Sequence, residues 1–228
     1  MTASKQISVL LAEDHAVVRQ GLCSLLNADG QFLVAGEAQT GREAVGMALR
    51  LRPDVILMDI AMPVLNGLEA TRQILAANPA AKIIVLSAHS EDIYVERMNA
   101  AGAVGFLEKQ TSAEILTKAI REVAGGRKYY SPSIARRLQS EGSKALDRNG
   151  HRNVRGVRLT SRESEVLQLV AEGSANKQVA AELGISIKTV EKHRQHVMQK
   201  LNIHETAGLT RYAIAQGIVE NSVQVTII

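Results

Sequence analysis

Four polar features in the first half of the chain sit where short apolar runs stop. Glu13-Asp14 follows the run Ile7-Ser8-Val9-Leu10-Leu11-Ala12, and Asp59 follows Asp54-Val55-Ile56-Leu57-Met58. Ser87 follows Ile83-Ile84-Val85-Leu86, and Lys109 comes just after Val104-Gly105-Phe106-Leu107. Three clustered carboxylates repel one another and invite a hard cation, and Mg²⁺ suits them because it takes one or two carboxylates plus water and phosphate oxygens. A carboxylate is also a nucleophile toward phosphorus, giving an aspartyl phosphate, once metal and ammonium charge neutralise the phosphoryl oxygens. In that chemistry Lys109 supplies the ammonium and Ser87 a hydroxyl donor. Any one of these residues alone reads as a strand-end charge facing solvent. All of them at the ends of four different runs do not read as coincidence.

The elements that must position these groups are strands. The four runs, with Phe32-Leu33-Val34-Ala35, make five, each so uniformly apolar that it fits a parallel strand covered on both faces. The stretches between them are long enough for crossover helices, which gives a doubly wound α/β domain with a five-stranded sheet. Ligands of such sheets bind beyond the carboxyl ends of the strands near a switch in strand order, so the polar residues should converge there. Capping boxes mark helix starts at Thr40 with Glu43 and Thr111 with Glu114, and Gly102 and Gly125-Gly126 suit helix exits.

Charge divides the chain. Residues 1–125 carry 11 Lys+Arg against 14 Asp+Glu, whereas residues 126–228 carry 16 against 9. An acidic front and a basic back predict two domains, the second drawn to a polyanion such as nucleic acid. The boundaries expected are 1–125 for the first domain, 126–156 for a Gly, Ser, Asn and basic linker with a short helix near 133–139, and 157–221 for the second. An apolar tail at 222–228 completes the chain. The lone Cys23 excludes an intramolecular disulfide, and its spacing among Val17, Val18, Leu22, Leu25 and Leu26 predicts a packed thiol rather than a nucleophile. No apolar run approaches the ~18 residues of a membrane span, and Val9–Ala12 is too short for a signal-peptide core, so a cytoplasmic protein with no membrane partner is expected.

Beyond the linker, helical periodicity returns without strands, over 161–172, 176–183, 188–201 and 205–216, with a third capping box at Thr160 and Glu163. Gly184 permits a turn and Ser186 caps the 188–201 helix, a helix-turn-helix pattern. On a wheel of that helix Val190, Val197 and Leu201 fall together, while Lys188, Lys192, Gln195 and Gln199 gather opposite. Such a face suits the major groove, where Lys and Gln address guanine and adenine edges. His193 falls on the apolar side and reads as a packed residue.

The residues also carry two resemblances. Glu13-Asp14-His15, Met58-Asp59-Ile60-Ala61-Met62-Pro63 with Gly67, Ser87-Ala88 and Phe106-Leu107-Glu108-Lys109 resemble the receiver domain of two-component response regulators over about residues 5–125. The resemblance implies a flavodoxin-like fold in which Asp59 accepts a phosphoryl group from a sensor histidine kinase. It implies further that Glu13, Asp14, Asp59 and the Ala61 backbone carbonyl hold Mg²⁺, that Ser87 and Lys109 contact the phosphoryl oxygens, and that Ser87 with Phe106 is the switch pair. Phe106 has no hydroxyl, so its switching is a packing change. His89, two residues beyond Ser87, is a candidate to affect attack by water on the acyl phosphate. Leu159-Thr160-Ser161-Arg162-Glu163, Gly173, Asn176-Lys177, Val179-Ala180, Leu183, Ser186, Thr189-Val190-Glu191-Lys192-His193 and Lys200-Leu201 resemble the LuxR-type helix-turn-helix. Together they imply a NarL/FixJ-family response regulator, not an enzyme, that dimerises on phosphorylation and reads promoter DNA through Lys188, Thr189, Lys192, Gln195 and Gln199, with RNA polymerase as a further partner. The alternatives are a phosphorylation-independent DNA-binding regulator and an Asp-nucleophile phosphohydrolase. The second lacks the additional Asp that a dehalogenase-type phosphatase has two residues after its nucleophile, where this chain has Ala61.

Overall fold

Alternation decides how the first half packs. The structure, a computed structural model, describes residues 6–87, 92–132, 134–135 and 159–219. His89, most of the 133–139 stretch, linker residues 140–156 and the 222–228 tail lie outside the described residues. The chain divides into two compact units, residues 1–151 and 152–228.

The first unit alternates β1 (Ile7–Ala12), α1 (Ala16–Asp29), β2 (Phe32–Ala38), α2 (Gly41–Leu51), β3 (Val55–Asp59), α3 (Gly67–Ala77), β4 (Ile83–Ser87), α4 (Asp92–Ala101), β5 (Gly105–Glu108), α5 (Ala113–Ala124) and β6 (Tyr129–Tyr130). The sheet is parallel throughout, in the order β2-β1-β3-β4-β5-β6. Successive side chains point to opposite faces, and both faces are apolar. Val9, Leu11, Val55, Leu57, Ile84, Leu86 and Leu107 pack with Leu26 of α1 and Leu116 and Ile120 of α5. Leu10, Ala12, Ile56, Met58 and Ile83 pack with Ala44 and Ala48 of α2 and Ile74 of α3. Two-sided burial is why the runs of β1, β3, β4 and β5 read as continuously hydrophobic, while β2, at the sheet edge, leaves Leu33 exposed. The five strands expected are all present, and β6 is a sixth that corrects the count: Tyr129 and Tyr130, inside the stretch read as linker, pair with Gly105 and Phe106.

The caps match the sequence with two corrections. Thr40 accepts from the Glu43 N–H at 3.1 Å, but Glu43 Oε2 accepts from the Gln39 N–H at 2.8 Å rather than from Thr40, so the expected box is only half closed. At α5 the cap is Ser112, not Thr111; its hydroxyl oxygen accepts from the Ile115 N–H at 3.4 Å, and Glu114 bonds that hydroxyl.

The second unit is helical: α6 (Ser161–Ala171), α7 (Asn176–Leu183), α8 (Ile187–Leu201) and α9 (Thr206–Ala215). Thr160 and Glu163 form the expected capping box, with Glu163 N–H to Thr160 Oγ1 at 3.3 Å and Thr160 N–H to Glu163 Oε2 at 2.8 Å. Gly184, at φ 63°, makes the turn between α7 and α8 in a conformation that only glycine adopts without strain. Ser186 caps α8 by accepting from the Thr189 N–H at 3.1 Å. Val166, Leu167, Val170, Val179, Leu183, Val190, Val197, Leu209 and Ala213 form the buried centre. Among the described residues no helix is long and apolar enough to cross a membrane.

Candidate functional site

β1 lies between β2 and β3, so the connections leaving β1 and β3 diverge and open a crevice at their carboxyl ends. Glu13 and Asp14 come directly after β1 and Asp59 is the last residue of β3, so the three carboxylates gather at that crevice. One ligand atom from each of Glu13, Asp14, His15 and Asp59 lies within 4.8 Å of the others. Glu13 and Asp59 are almost wholly buried, at 1% and 2% exposure.

Gly67 fixes the floor. Its N–H donates to the Ile60 carbonyl at 2.8 Å, and a Cβ there would stand 1.9 Å from the Asp59 carbonyl oxygen, so α3 can begin this close to the end of β3 only on a glycine.

Lys109 comes in from the loop after β5. Its Nζ lies 2.9 Å from Asp59 Oδ2, 2.9 Å from Glu13 Oε2 and 3.1 Å from Glu13 Oε1. Its backbone N–H donates to the Ser87 carbonyl at 2.8 Å, which ties the end of β4 to the same loop. His15 Nδ1 sits 2.8 Å from Asp14 Oδ1 and 3.1 Å from Glu13 Oε1. One ammonium and one imidazole thus serve three carboxylates. Glu13 Oε2, Asp14 Oδ1 and Asp59 Oδ2 are buried yet accept no well-aligned hydrogen bond, their contacts being ion pairs alone.

Burial, and next the Glu13 carboxylate, push the Asp59 carboxyl up to about 7 against the pull of Lys109. Burial pulls the Lys109 ammonium down, but Asp59 and Glu13 together hold it above its usual range. The Asp14 carboxylate holds the His15 imidazole above its usual range against a smaller effect of burial. Excess negative charge on oxygen donors with unfilled acceptor sites fits a hard divalent cation.

Of the other expected site residues, Ser87 and Ala61 are joined through the backbone to residues of this cluster, and Phe106 lies elsewhere. Ser87 ends β4, is 3% exposed and stands opposite Glu108 of β5. Ala61 is half-buried, two residues past Asp59. Phe106 does not join the carboxylates. It is 1% exposed in an apolar cluster with Ile60, Val85, Val95, Met98, Ala103 and Ile134, against which Tyr130 packs. Cys23 is half-buried, and burial followed by Glu37 pushes its thiol up to about 11, which keeps it protonated at neutral pH.

Sequence reasoning missed Arg19. This buried residue of α1 donates from Nη1 to the carbonyl oxygens of Glu13 at 2.8 Å and Asp14 at 3.2 Å. The one available signal was a lone basic residue within the otherwise apolar stretch that holds Cys23.

On α8 the side chains of Lys188, Lys192, Gln195 and Gln199 are all exposed, while Val190 and Val197 are buried. Thr189 is half-buried, its hydroxyl 2.8 Å from that of Ser186. His193 is half-buried, in keeping with a packed residue. Arg194 braces the helix from behind by donating to Asn176 Oδ1 of α7 at 3.2 Å and to Thr206 Oγ1 at the start of α9. The polar face lies on the side of α8 opposite these ties.

Comparison with known proteins accounts for both units. Residues 9–121 match the response regulator receiver domain, and residues 157–213 match the luxR family of bacterial regulatory proteins. The chain is 39% identical over 207 residues to the transcriptional regulatory protein LiaR of Bacillus subtilis, covering 91% of this chain and 96% of that one. It is 34% identical over 226 residues to the transcriptional regulatory protein DegU of Brevibacillus brevis, covering 94% and 96%. Among solved structures, the response regulator RcsB in complex with DNA matches with a TM-score of 0.56 and 26% identity, over 91% of this chain and 98% of RcsB. A receiver followed by a LuxR-type helix-turn-helix, matched along nearly the whole length of transcriptional regulators, places this chain in the NarL/LuxR family of response regulators.

Proposed function

We propose that Asp59 is the phosphoacceptor through which a sensor histidine kinase controls DNA binding by α8. The observation that carries this reading is the burial of Asp59 beside Lys109 and an acidic pair, with Glu13 Oε2, Asp14 Oδ1 and Asp59 Oδ2 all lacking aligned donors. Mg²⁺ held by Glu13, Asp14, Asp59 and the Ala61 carbonyl would cancel the excess charge, keep Asp59 ionised and draw the phosphoryl oxygens toward the carboxylate. An Asp59 carboxylate oxygen forms its bond to phosphorus as the phosphorus–nitrogen bond of the donor phosphohistidine breaks, the electron pair remaining on the imidazole. Lys109, already 2.9 Å from Asp59 Oδ2, turns its ammonium to the phosphoryl oxygens, and the Ser87 hydroxyl donates to another. Ser87 then pulls away from its resting contacts, and Phe106 repacks as its switch partner.

Phosphorylation favours a dimer, and two α8 helices read two half-sites of promoter DNA in adjacent major grooves. Lys188, Thr189, Lys192, Gln195 and Gln199 are the contact residues. The RcsB–DNA complex, with a LuxR-type relative on its DNA, supports this reading. RNA polymerase is the downstream partner and the cytoplasm the place of action.

The test is the intact mass of wild type and Asp59→Asn after exposure to a small-molecule phosphodonor, with and without Mg²⁺. A phosphoryl adduct that requires both Asp59 and Mg²⁺ is expected; an equal adduct on Asp59→Asn would overturn the assignment. For the DNA face, Lys192→Ala costs about 1 to 3 kcal/mol of specific binding and relaxes preference at one base position. A loss uniform across sequences in a binding titration would mark a phosphate contact instead.

A further inference from the structure

The backbone that carries the acidic pair is held on every side. Glu13 donates its N–H to the Ala38 carbonyl of β2 at 3.0 Å. The carbonyls of Glu13 and Asp14, which belong to two consecutive peptide planes, both accept from Arg19 Nη1. The next carbonyl, of His15, accepts from the Arg19 backbone N–H at 3.0 Å as α1 begins. The guanidinium is anchored in turn, its Nε 3.3 Å from Glu37 Oε2 near the end of β2.

The directions in which the Glu13 and Asp14 side chains leave the chain are set by these two peptide planes, because Cβ is fixed relative to its own backbone. We propose that Arg19 is a positioning residue for the metal-binding acidic pair: through its hold on two successive carbonyls it keeps both carboxylates turned toward Asp59. The proposal rests on the assignment of Glu13, Asp14 and Asp59 as Mg²⁺ ligands. Arg19 touches neither ion nor substrate and acts through the main chain.

A planar guanidinium can bond two carbonyls from one nitrogen while a second nitrogen faces Glu37, a fork that an ammonium cannot reproduce. Lysine keeps the positive charge near the carboxylates and loses the fork. Arg19→Lys therefore separates geometry from charge.

The experiment is Mg²⁺ binding by calorimetry on the full chain, with thermal unfolding in the absence of metal as the check on folding. Arg19→Lys is expected to weaken Mg²⁺ binding about tenfold, the low end of what loss of a residue that orients metal ligands costs. The Mg²⁺ concentration for half-maximal phosphorylation by a small-molecule donor should rise by the same factor, while the rate at saturating Mg²⁺ stays at the wild-type value. A folded Arg19→Lys protein with a Kd within twofold of wild type would overturn the proposal and leave the metal site intact. Should Arg19→Lys fail to fold, Glu37→Gln, at a side chain 48% exposed that also meets Cys23, loosens the anchor and leaves the Arg19 fork in place; weaker Mg²⁺ binding supports the proposal and an unchanged Kd overturns it. A wild-type chain that binds no Mg²⁺ overturns the ligand assignment and the Arg19 proposal together.

Discussion

Each unit of this protein buries a glutamate against a lysine, and the two pairs behave in opposite ways. In the helical unit Glu163 is 4% exposed, and one of its oxygens takes two donors. Lys200 Nζ donates to its Oε2 at 2.6 Å, the Thr160 N–H donates to the same oxygen, and the pair closes the cap of α6. Burial pulls the Glu163 carboxyl up, but Lys200 and the Thr160 bonds outweigh it and hold it below the usual carboxylate range. In the receiver unit Lys109 must divide itself between Glu13 and Asp59, with Asp14 alongside, and Asp59 rises to about 7. One arrangement balances its charges and strengthens a fold. The other leaves excess negative charge that a proton or an incoming cation would offset, which is the signature of a site rather than of a brace.

The sign of the linkage separates them most sharply. For Asp59 the folded value lies above the unfolded one, so between about pH 4 and pH 7 the unfolded chain ionises first and the metal-free fold loses stability as pH rises. Asp59→Asn escapes that cost, and without divalent ions at pH 8 it should be more stable than wild type by roughly 2 to 4 kcal/mol, the gap closing by pH 4. Urea unfolding at the two pH values reads this directly; a gap that does not change with pH would break the comparison.

Glu163→Ala should act in the other direction and cost about 2 kcal/mol, since it removes half a capping box and a partner of Lys200. For Glu163 the folded value lies below the unfolded one, so its contribution is full above the ordinary glutamate range and fades as pH falls through the depressed value. The difference between wild type and Glu163→Ala, tracked by thermal melts of the helical unit's transition, should therefore shrink on acidification.

A smaller effect lies in the backbone. Outside glycine, the helical unit places only Asn202 at positive φ among the described residues, a type that tolerates the left-handed region, whereas the receiver holds the β-branched Val64 there at 69°, five residues past Asp59. Val64→Gly should stabilise the chain by about 1 kcal/mol in the same unfolding experiment, relief of strain exceeding the entropic cost of glycine.

The carboxylate cluster was legible because its chemistry is carried by side chains at strand ends, where an apolar run stops abruptly at Ala12 or Met58. β1, β3, β4 and β5 were legible for the related reason that two-sided burial leaves uninterrupted apolar runs, whereas the edge strand β2, with Leu33 51% exposed, showed only a short one. β6 was not: two tyrosines in a polar stretch have no period to detect, and their pairing depends on an edge that β5 offers only once the sheet exists. Arg19 stayed hidden because its partners are carbonyl oxygens, which every residue possesses and no pattern of types reveals. The shift from Thr111 to Ser112 at α5 has the same root, since adjacent hydroxyl residues offer equivalent caps and packing chooses between them.

The short sixth strand also decides how the chain leaves the receiver. Tyr129 and Tyr130 run beside Gly105 and Phe106, Ser131 donates its N–H to the Phe106 carbonyl at 3.1 Å, and the Tyr130 hydroxyl reaches Asn99 of α4 at 3.1 Å. Beyond these few rungs Ser131 is 4% exposed and Ile134 is fully buried beside Phe106, so packing as well as pairing holds the segment. The segment that leads out of the receiver is thus packed onto the same cluster that encloses the Phe106 ring, so a change in either bears on the other.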